Sequence, residues 1–249
     1  MRFTLIKYAC LLLAFLTAVS VQAGIVLNTT RIIYPAQDKE VSFGVHNSGG
    51  GEILLQSWLE AAAEETSNLP FVIIPALTRM PGHGKQLLRI MYAGADMPQD
   101  RESVFWLNVQ EIPQTAAANA LQIAIRQRIK VFFRPEGLSD VPSQAPQQLQ
   151  WRLLRNGVLQ VSNPGSYHVS MVRIEAHDGI SQVMSKESHM LAPKQSLELA
   201  LTKLQKGRSV SVSFISINDF GGQVQYRALL NGHDMANAVL TNKSDRVTQ

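Results

Sequence analysis

The chain has 249 residues, of which 45% are hydrophobic and 17% are charged, with 16 Gly, 11 Pro and a single Cys. This length is enough for one large or two ordinary globular domains. The composition excludes a collagen, a coiled coil and a disordered acidic tail. The formal net charge of +4 is too small to support a polybasic surface, so no nucleic-acid partner is expected.

Residues 1–23 have the three parts of a secretory signal peptide. Two basic residues precede an apolar stretch at 9–19, and Val21-Gln22-Ala23 forms a small-residue cleavage site. No later stretch approaches the roughly 18 continuous apolar residues of a membrane span, so we expect an exported protein without one. Cys10 lies too early for lipid attachment and leaves with the signal. Disulfides, thiolate metal sites and a Cys nucleophile are therefore excluded.

Apolar and polar residues alternate with period two in segments rich in β-branched and aromatic residues. The clearest segments are 41–45, 105–109, 197–201 and 210–214. Such alternation is typical of half-buried strands. Turn signals between the segments include Pro81-Gly82, Asn156-Gly157 and Gly221-Gly222. Many short strands with few helix signals predict an all-β fold made of β-sandwiches.

Residues 57–67 are the exception, because their alanines and glutamates look helical. No long apolar helical stripe continues from them. We therefore expect a strand that ends at Trp58, followed by a loop.

A segment rich in proline and glutamine breaks the strand pattern between Pro135 and Gln150. Strand signals resume at Trp151, so we expect a domain boundary near residues 138–148. Two immunoglobulin-like sandwiches follow from this boundary, an N-terminal domain at 24–140 and a C-terminal domain at 146–240. The polar residues 241–249 are expected to form a frayed tail.

No motif for catalysis, phosphate binding or metal binding stands out. The six histidines show no close ligand spacing and are predicted to lie in turns and on the surface; they are His46, His83, His168, His177, His189 and His233. The sequence has no nucleophile elbow, Walker loop or dinucleotide fingerprint. No metal, cofactor or enzymatic activity is therefore expected, although a hydrolase with a site assembled from dispersed residues stays an open alternative.

The segment 121–134 is unusual because it combines a long apolar row with a basic row. The apolar parity contains Leu121, Ile123, Ile125, Ile129, Val131 and Phe133, and the opposite parity contains Arg126, Arg128 and Lys130. Two interpretations stay open for this predicted strand. It is either a central strand with its basic residues in solvent, or a strand whose first half is an edge that accepts a strand from another chain.

The segment 97–113, MPQDRESVFWLNVQEIP, resembles the signature of the periplasmic chaperones of chaperone–usher pili. Further similarities to that family are spread along the chain, at 30–31, 56–58, 129–135, 163–164 and 217–222. The resemblance thus covers essentially all of the chain after the signal. It implies two immunoglobulin-like domains set at an angle, with a cleft between them.

The resemblance also implies a mode of action. A pilus subunit of this family lacks its last strand, and the chaperone's G strand fills the resulting groove with alternating apolar side chains. The resemblance assigns the apolar positions of this donor strand to Leu121, Ile123 and Ile125, which precede the Lys-containing motif at 129–135. A naked groove or a naked edge is an aggregation hazard. The resemblance implies fimbrial subunits and an outer-membrane usher as partners. The hazard of a naked edge implies a self-capping homo-oligomer when no subunit is bound.

By the same resemblance, Arg31 and Lys130 lie in the cleft and anchor the C-terminal carboxylate of the subunit. Lys130 has the opposite strand parity to Leu121. A bulge, a marked twist or a reach around the strand is needed to reconcile the two roles, and the sequence does not choose among them.

The resemblance further implies an ion cluster between the domains, formed by Glu102, Arg134 and Asp219. Its expected role is to fix the orientation of the two domains, since a buried charge network can specify one arrangement.

Residues 114–120 form a short connection before the donor strand, which resembles the short-loop subclass of these chaperones. The resemblance implies a periplasmic, ATP-independent chaperone that performs no covalent chemistry. The alternative is an exported two-domain adhesion or scaffold protein, which a fully paired edge at 121–125 would favour.

Overall fold

The computed structural model describes residues 24–61, 69–94, 97–114, 122–202 and 209–241. The expected signal peptide, Leu121 and the tail after Thr241 lie outside the described residues. The described residues form two β-sandwich domains, each with its own hydrophobic core. The predicted all-β fold is confirmed.

The N-terminal domain contains nine strands in two sheets. They are β1 (Ile25–Leu27), β2 (Arg31–Pro35), β3 (Glu40–Asn47), β4 (Ile53–Ala61), β5 (Phe71–Ile74), β6 (Leu77–Met80), β7 (Lys85–Tyr92), β8 (Ser103–Pro113) and β9 (Arg126–Arg134). The first sheet has the order β1-β3-β7-β5 and the second has the order β2-β9-β8-β4-β6. Strands β2 and β9 pair in parallel, whereas the other neighbours in both sheets are antiparallel.

The C-terminal domain also consists of two sheets, preceded by a short helical segment. A 3-10 turn at Pro142–Gln144 leads into helix α1 (Ala145–Gln148). The strands are β10 (Gln150–Leu153), β11 (Val158–Ser162), β12 (Val169–His177), β13 (Gln182–Leu191), β14 (Ser196–Ala200), β15 (Val210–Ile217), β16 (Gln223–Leu230), β17 (Met235–Asn237) and β18 (Val239–Leu240). The sheet orders are β14-β11-β10-β17 and β13-β12-β15-β16-β18.

Period-two alternation correctly predicted which side chains enter the cores. Phe105, Leu107 and Val109 in β8 are at most 1% exposed, as are Val210, Val212 and Phe214 in β15. Their neighbours on the opposite parity of β15 are only half-buried. Because successive side chains of a strand point to opposite faces, the pattern fixes the side of each sheet that packs inward.

Aromatic side chains fill the centre of the N-terminal core. Phe71 contacts Phe105 with ring centroids 4.4 Å apart, and Tyr92 contacts Phe133 at 4.7 Å. Tyr34 is fully buried, and its hydroxyl donates to the backbone oxygens of residues 38 and 39 and accepts from the Tyr92 amide. Aromatic pairs of this kind add about 0.5–1.5 kcal/mol each to the burial of their area. This packing supports β9 from inside the sandwich.

The prediction that a strand ends at Trp58 was wrong by three residues. Strand β4 continues to Ala61, because its pairing with β8 extends through Glu60 opposite Trp106 and Ala61 opposite Phe105. The indole of Trp58 also donates to Glu60 Oε1 at 2.8 Å. These cross-strand contacts outweigh the helical preference of the local composition, as tertiary pairing often does.

Candidate functional site: an open strand edge beside the interdomain cavity

Strand β9 has neighbours on both sides along only part of its length. Strand β8 pairs with it from Arg126 to Phe133. Strand β2 pairs with its other edge from Lys130 to Arg134. Among the described residues, no strand pairs with that other edge between Arg126 and Ile129. One-sided pairing of this kind is the geometry that strand addition from another chain uses.

The segment before β9 is exposed and is not part of a strand, so the long strand expected over 121–134 is shorter than predicted. The side chain of Ile123 is 69% exposed and that of Ile125 is 42% exposed. The Glu111 amide donates to the Ile125 carbonyl at 3.2 Å, which extends the contact with β8 by one hydrogen bond. Leu121, the first of the three proposed donor residues, lies outside the described residues.

The apolar row of β9 runs from the core of the sandwich into solvent. Val131 and Phe133 are fully buried, and Ile129 packs against the same core. Gln127 has the same parity and donates to the Ile25 carbonyl of the other sheet at 2.6 Å. The Gln127 contact thus bridges the two sheets near the end of the core, and the exposed Ile123 and Ile125 precede it outside the strand.

The basic residues of β9 contact aromatic side chains. This differs from the interpretation in which a central strand has its basic residues in solvent. The Arg128 guanidinium lies 4.3 Å from the centroid of the Trp106 ring, and the Lys130 ammonium lies 5.2 Å from the same ring. Arg126 lies 5.9 Å from Trp58, and Arg128 also pairs with Glu60 at 3.2 Å. Cation–π contacts of this kind hold the outer face of β9 against β8 and β4.

Sequence reasoning missed these cation–aromatic contacts. Trp106 lies on the outward parity of a segment that the alternation had identified as a strand, so its exposure could have been foreseen. Its partner in β9 could not, because a strand pattern does not give the register between two strands.

Arg31 and Lys130 are paired directly across β2 and β9, so the structure brings the two proposed anchor residues together. Burial lowers the pKa of Lys130, and the positive charge of Arg31 lowers it further. Burial likewise lowers the pKa of Arg31, against the opposing effect of Asp219. The Arg31 Nε is buried without a hydrogen-bond partner among the described residues. Two partly desolvated cations with an unused donor favour an added anion.

Strand β9 contains no bulge that would reconcile the two proposed roles, because its register with β8 is continuous from Arg126 to Phe133. Within β9, Lys130 and the apolar side chains lie on opposite faces. Residues 122–125 lie outside the strand, so this alternation does not fix where Ile123 and Ile125 point.

The structure also brings together Glu102, Arg134 and Asp219. Arg134 Nε donates to Glu102 Oε1 at 2.8 Å, and its two terminal nitrogens donate to the Asp219 carboxylate at 2.7 Å each. Burial by itself would lower the pKa of Arg134. The hydrogen bonds with Asp219 and the charge of Glu102 outweigh burial and raise the pKa above its usual range. This ion cluster connects β9 and the start of β8 to the turn after β15.

Three histidines lie in strands and not in the predicted turns, namely His46, His177 and His189. The prediction of a surface position was wrong for His168. Its side chain is 5% exposed, and its Nδ1 lies 2.8 Å from Glu102 Oε2. The His168 backbone amide donates to the same oxygen at 2.8 Å. Glu102 is thus bound on both carboxylate oxygens, and its own amide donates to the Ser166 carbonyl. No spacing in the sequence links residues 102 and 168.

A cavity of about 280 Å³ lies between the domains. Its lining includes Arg31 and Phe132 from one domain and Tyr167, Asp219 and Phe220 from the other. Arg31 crosses the boundary as well, because its Nη1 donates to the Ile217 carbonyl at 3.0 Å. Arg31 thus lines the cavity and also pairs across the sheet with Lys130, the first residue of β9 after its open edge.

Within the parts of the chain that the structure describes, no group of three or more His, Cys, Asp or Glu side chains could hold a metal ion. In the same residues, no helix is long and apolar enough to cross a membrane.

Two families of known domains match the sequence. Residues 24–139 match "Pili and flagellar-assembly chaperone, PapD N-terminal domain", and residues 144–228 match "Pili assembly chaperone PapD, C-terminal domain". The chain is 39% identical over 227 residues to chaperone protein FimB/FhaD of Bordetella pertussis, which covers 86% of this chain and 91% of that protein. It is 36% identical over 225 residues to the probable fimbrial chaperone YadV of Escherichia coli, covering 84% and 90%.

Solved structures agree with these sequence matches. The crystal structure of the YadV chaperone has a TM-score of 0.72 and 36% identity, and it covers 84% of this chain and 100% of that chain. A chain from the structure of the Salmonella enterica SafA pilin in complex with the SafB chaperone has a TM-score of 0.68 and 25% identity, covering 90% and 99%. The relatives are chaperones and not enzymes. This chain therefore belongs to the family of PapD-type pilus-assembly chaperones.

Proposed function

We propose that this protein is a periplasmic, ATP-independent chaperone that binds fimbrial subunits by donor-strand complementation and delivers them to an outer-membrane usher. The observation that carries the proposal is the one-sided pairing of β9 at Arg126–Ile129, preceded by the exposed Ile123 and Ile125. The signal-like N-terminus supports export to the periplasm. The complex of SafB with the SafA pilin supports a subunit as the partner.

The donor strand acts through backbone pairing and alternate side chains. A subunit strand adds to the free edge of β9 through main-chain hydrogen bonds, while Leu121, Ile123 and Ile125 enter the subunit's groove. Each aliphatic side chain that is fully buried contributes about 1.5–3 kcal/mol, so three of them contribute several before the cost of ordering the segment. Chaperone and subunit protect each other, because both present surfaces that would aggregate alone. A second copy of the chaperone covers the same edge when no subunit is present.

Arg31 and Lys130 anchor the C-terminal carboxylate of the subunit. Both side chains are partly desolvated, and Arg31 Nε has no partner among the described residues. Charge-assisted hydrogen bonds to the carboxylate contribute roughly 1.5–3 kcal/mol each. A fixed chain end sets the register of the added strand, and a slip of one residue would turn the apolar row outward.

The ion cluster keeps the two domains in the orientation that places the anchor beside the edge. Arg134 links Glu102 of the N-terminal domain to Asp219 of the C-terminal domain. Such a network is a weak source of stability but can specify one arrangement. Delivery to the usher then requires only that the complex be recognised and the subunit released, with no covalent chemistry by the chaperone.

The two alternative functions receive less support. An adhesion or scaffold protein was expected to have a fully paired edge at 121–125. Among the described residues, 122–125 belong to no strand, and no strand pairs with the second edge of β9 at 126–129. A hydrolase needs an available acid and base in a pocket. In the interdomain cavity, Glu102 is engaged by Arg134 and His168 through short hydrogen bonds.

The class of function is tested by purifying the tagged protein from periplasm and identifying bound proteins by mass spectrometry. A pilin-like subunit recovered in stoichiometric amount is the expected result. Ile123→Asp should lose this subunit while the chaperone itself stays folded. Recovery of no subunit from cells that express the fimbrial operon would overturn the proposal.

The anchor is tested by comparing a subunit that has a free C-terminus with one that is amidated there. Amidation should weaken binding to the wild type and have little effect on the Arg31→Ala/Lys130→Ala double variant, as a double-mutant cycle requires of coupled groups. Lys130→Ala is the cleaner single variant, because Arg31 also donates to the Ile217 carbonyl. Arg89→Ala, an exposed cation on the other sheet, is the control. An equal effect of amidation on wild type and double variant would reject the anchor but not the chaperone class.

A further inference from the structure

The hairpin turn between β15 and β16 is rigid. Asn218 closes the turn, because its Oδ1 accepts from the amides of Phe220 and Gly222 at 3.1 and 2.8 Å. Its backbone amide donates to the Gly222 carbonyl, and its carbonyl accepts from the Gly221 amide. Gly221 has a φ of +79°, a conformation that favours glycine. The backbone that carries Phe220 is therefore held by hydrogen bonds within the turn itself.

The same turn is fixed to the N-terminal domain at three points. Asp219 binds Arg134 with two hydrogen bonds, and Arg31 binds the carbonyl at the end of β15. Gly221 lies so close to Thr30 that a Cβ on it would be 2.8 Å from the Thr30 hydroxyl. Because Thr30 immediately precedes Arg31, the turn is held against the anchor pair.

Phe220 is at the tip of this turn, and its side chain is 97% exposed. Single exposed apolar residues are common, so exposure alone means little. Ile180, on another hairpin turn of the same domain, is 74% exposed and serves as a comparison. What distinguishes Phe220 is its position, because it lines the same interdomain cavity as Arg31 and Phe132.

The chemistry of that cavity indicates what Phe220 would contact. A carboxylate held by Arg31 is the end of a chain, so the side chain of the terminal residue must lie beside it. The lining of the cavity combines charged side chains with apolar ones, and the apolar ones include Phe132, Val224, Leu240 and Phe220. A phenyl ring offers no hydrogen bond to the terminal side chain and complements an apolar one.

We propose that Phe220 binds the side chain of the subunit's last residue and selects for an apolar one. This inference rests on the proposed function, and it adds a specificity determinant in the C-terminal domain to an anchor formed by the N-terminal domain. Pre-ordering of the turn reduces the entropy lost on binding, and aromatic residues in such positions often dominate an interface. The subunit is thus recognised at its terminus by two cations and one ring.

The test uses the subunit recovered by co-purification, prepared with either Leu or Ala as its last residue. Wild-type chaperone should bind the Leu form about tenfold more tightly. Phe220→Ala should bind both forms alike, and Phe220→Tyr, which keeps the ring, should retain the preference. Ile180→Ala is the matched control for loss of an exposed apolar side chain and should behave as wild type. The unfolding transition of Phe220→Ala should not change, because the side chain is 97% exposed.

A preference for Leu that is the same in wild type and Phe220→Ala would overturn this inference. An equal loss of preference in Ile180→Ala would overturn it too, because the effect would not be specific to the cavity. These failures are distinct from failure of the proposed function. In that case wild type would bind neither form of the subunit, and amidation would have no effect.

Discussion

The two halves of the segment 122–134 have the same sequence pattern but opposite surroundings. In the paired half, Lys130–Arg134, Val131 and Phe133 are fully buried between two sheets. In the open half, residues 122–129, Ile123 is 69% exposed and Ile125 is 42% exposed. Hydrophobicity and alternation do not distinguish the halves. The halves differ in strand pairing: β9 has neighbours on both edges at Lys130–Phe133, only β8 pairs with it at 126–129 among the described residues, and 122–125 belong to no strand.

The missing neighbour follows from a change of sheet by the first part of the chain. Strand β1 pairs with β3 in one sheet, whereas β2 pairs with β9 in the other. Asn28 fixes the crossover, because its amide donates to the Gly44 carbonyl and its Oδ1 accepts from the Gly44 amide, both at 3.1 Å. Strand β1 still belongs to the other sheet, so it cannot pair with β9 beside Arg126–Ile129. The open edge is therefore a consequence of topology.

The largest expected effect comes from placing one charge in each half. Val131→Asp should unfold the N-terminal domain, because an unpaired carboxylate in a fully buried position costs several kcal/mol, roughly the whole stability of a domain. Ile123→Asp should leave thermal unfolding unchanged and abolish subunit recovery. The two variants are compared by melting curves and by co-purification.

Equal loss of stability in the two variants would place Ile123 in the chaperone's own core. Equal subunit recovery by Ile123→Asp and wild type would mean that the open half does not enter the groove. Either result would remove the functional distinction between the halves.

A smaller effect is expected at the ion cluster, where the paired half ends. Glu102→Ala should cost about 3–5 kcal/mol, because Arg134 and the amide of His168 lose a buried partner. Asp219→Ala should cost less, roughly 1–3 kcal/mol, because the Asp219 side chain is 34% exposed. Denaturant unfolding measures stability, and solution scattering measures the arrangement of the domains.

Asp100→Ala is the control for the ion cluster, because this carboxylate is exposed and pairs only with its neighbour Arg101 in the contacts described. It should match wild type in both measurements. If Glu102→Ala and Asp219→Ala also match wild type in stability and in scattering, the cluster does not set the domain arrangement.

Sequence reasoning was most successful where a local rule has a direct structural consequence. Alternation identified the buried faces of β8 and β15, because the side-chain period of a strand does not depend on what surrounds it. The residues of the ion cluster came from a family resemblance, and the structure brings Glu102, Arg134 and Asp219 together. Their separation in sequence, 85 residues between Arg134 and Asp219, gives no local signal.

Most of the structural features that the sequence did not predict depend on which distant segments pair with each other. Strand β4 extends past Trp58 only because β8 offers partners to Ala61. His168 is buried because residue 102 from another domain meets it. The neighbour of Lys130 on the second edge of β9 is known only once β2 is paired with β9. Each of these features depends on two segments that are far apart in the sequence and adjacent in the fold.

The smallest expected effect is a pH dependence of subunit binding at Lys130, the residue where the two halves meet. Burial and the charge of Arg31 lower the Lys130 pKa in the free chaperone from its ordinary 10.5. A bound carboxylate stabilises the ammonium and raises this pKa again, so binding takes up a proton between the two values. Affinity should be constant below the free-state pKa and should fall by up to about tenfold per pH unit as pH rises through it. Lys130→Arg stays charged throughout and should not show this fall. The ratio of the two affinities across the alkaline range separates the titration of Lys130 from any effect of pH on the subunit. A constant ratio would mean that Lys130 does not gain a carboxylate partner on binding, and that the junction of the two halves is not where the subunit's chain ends.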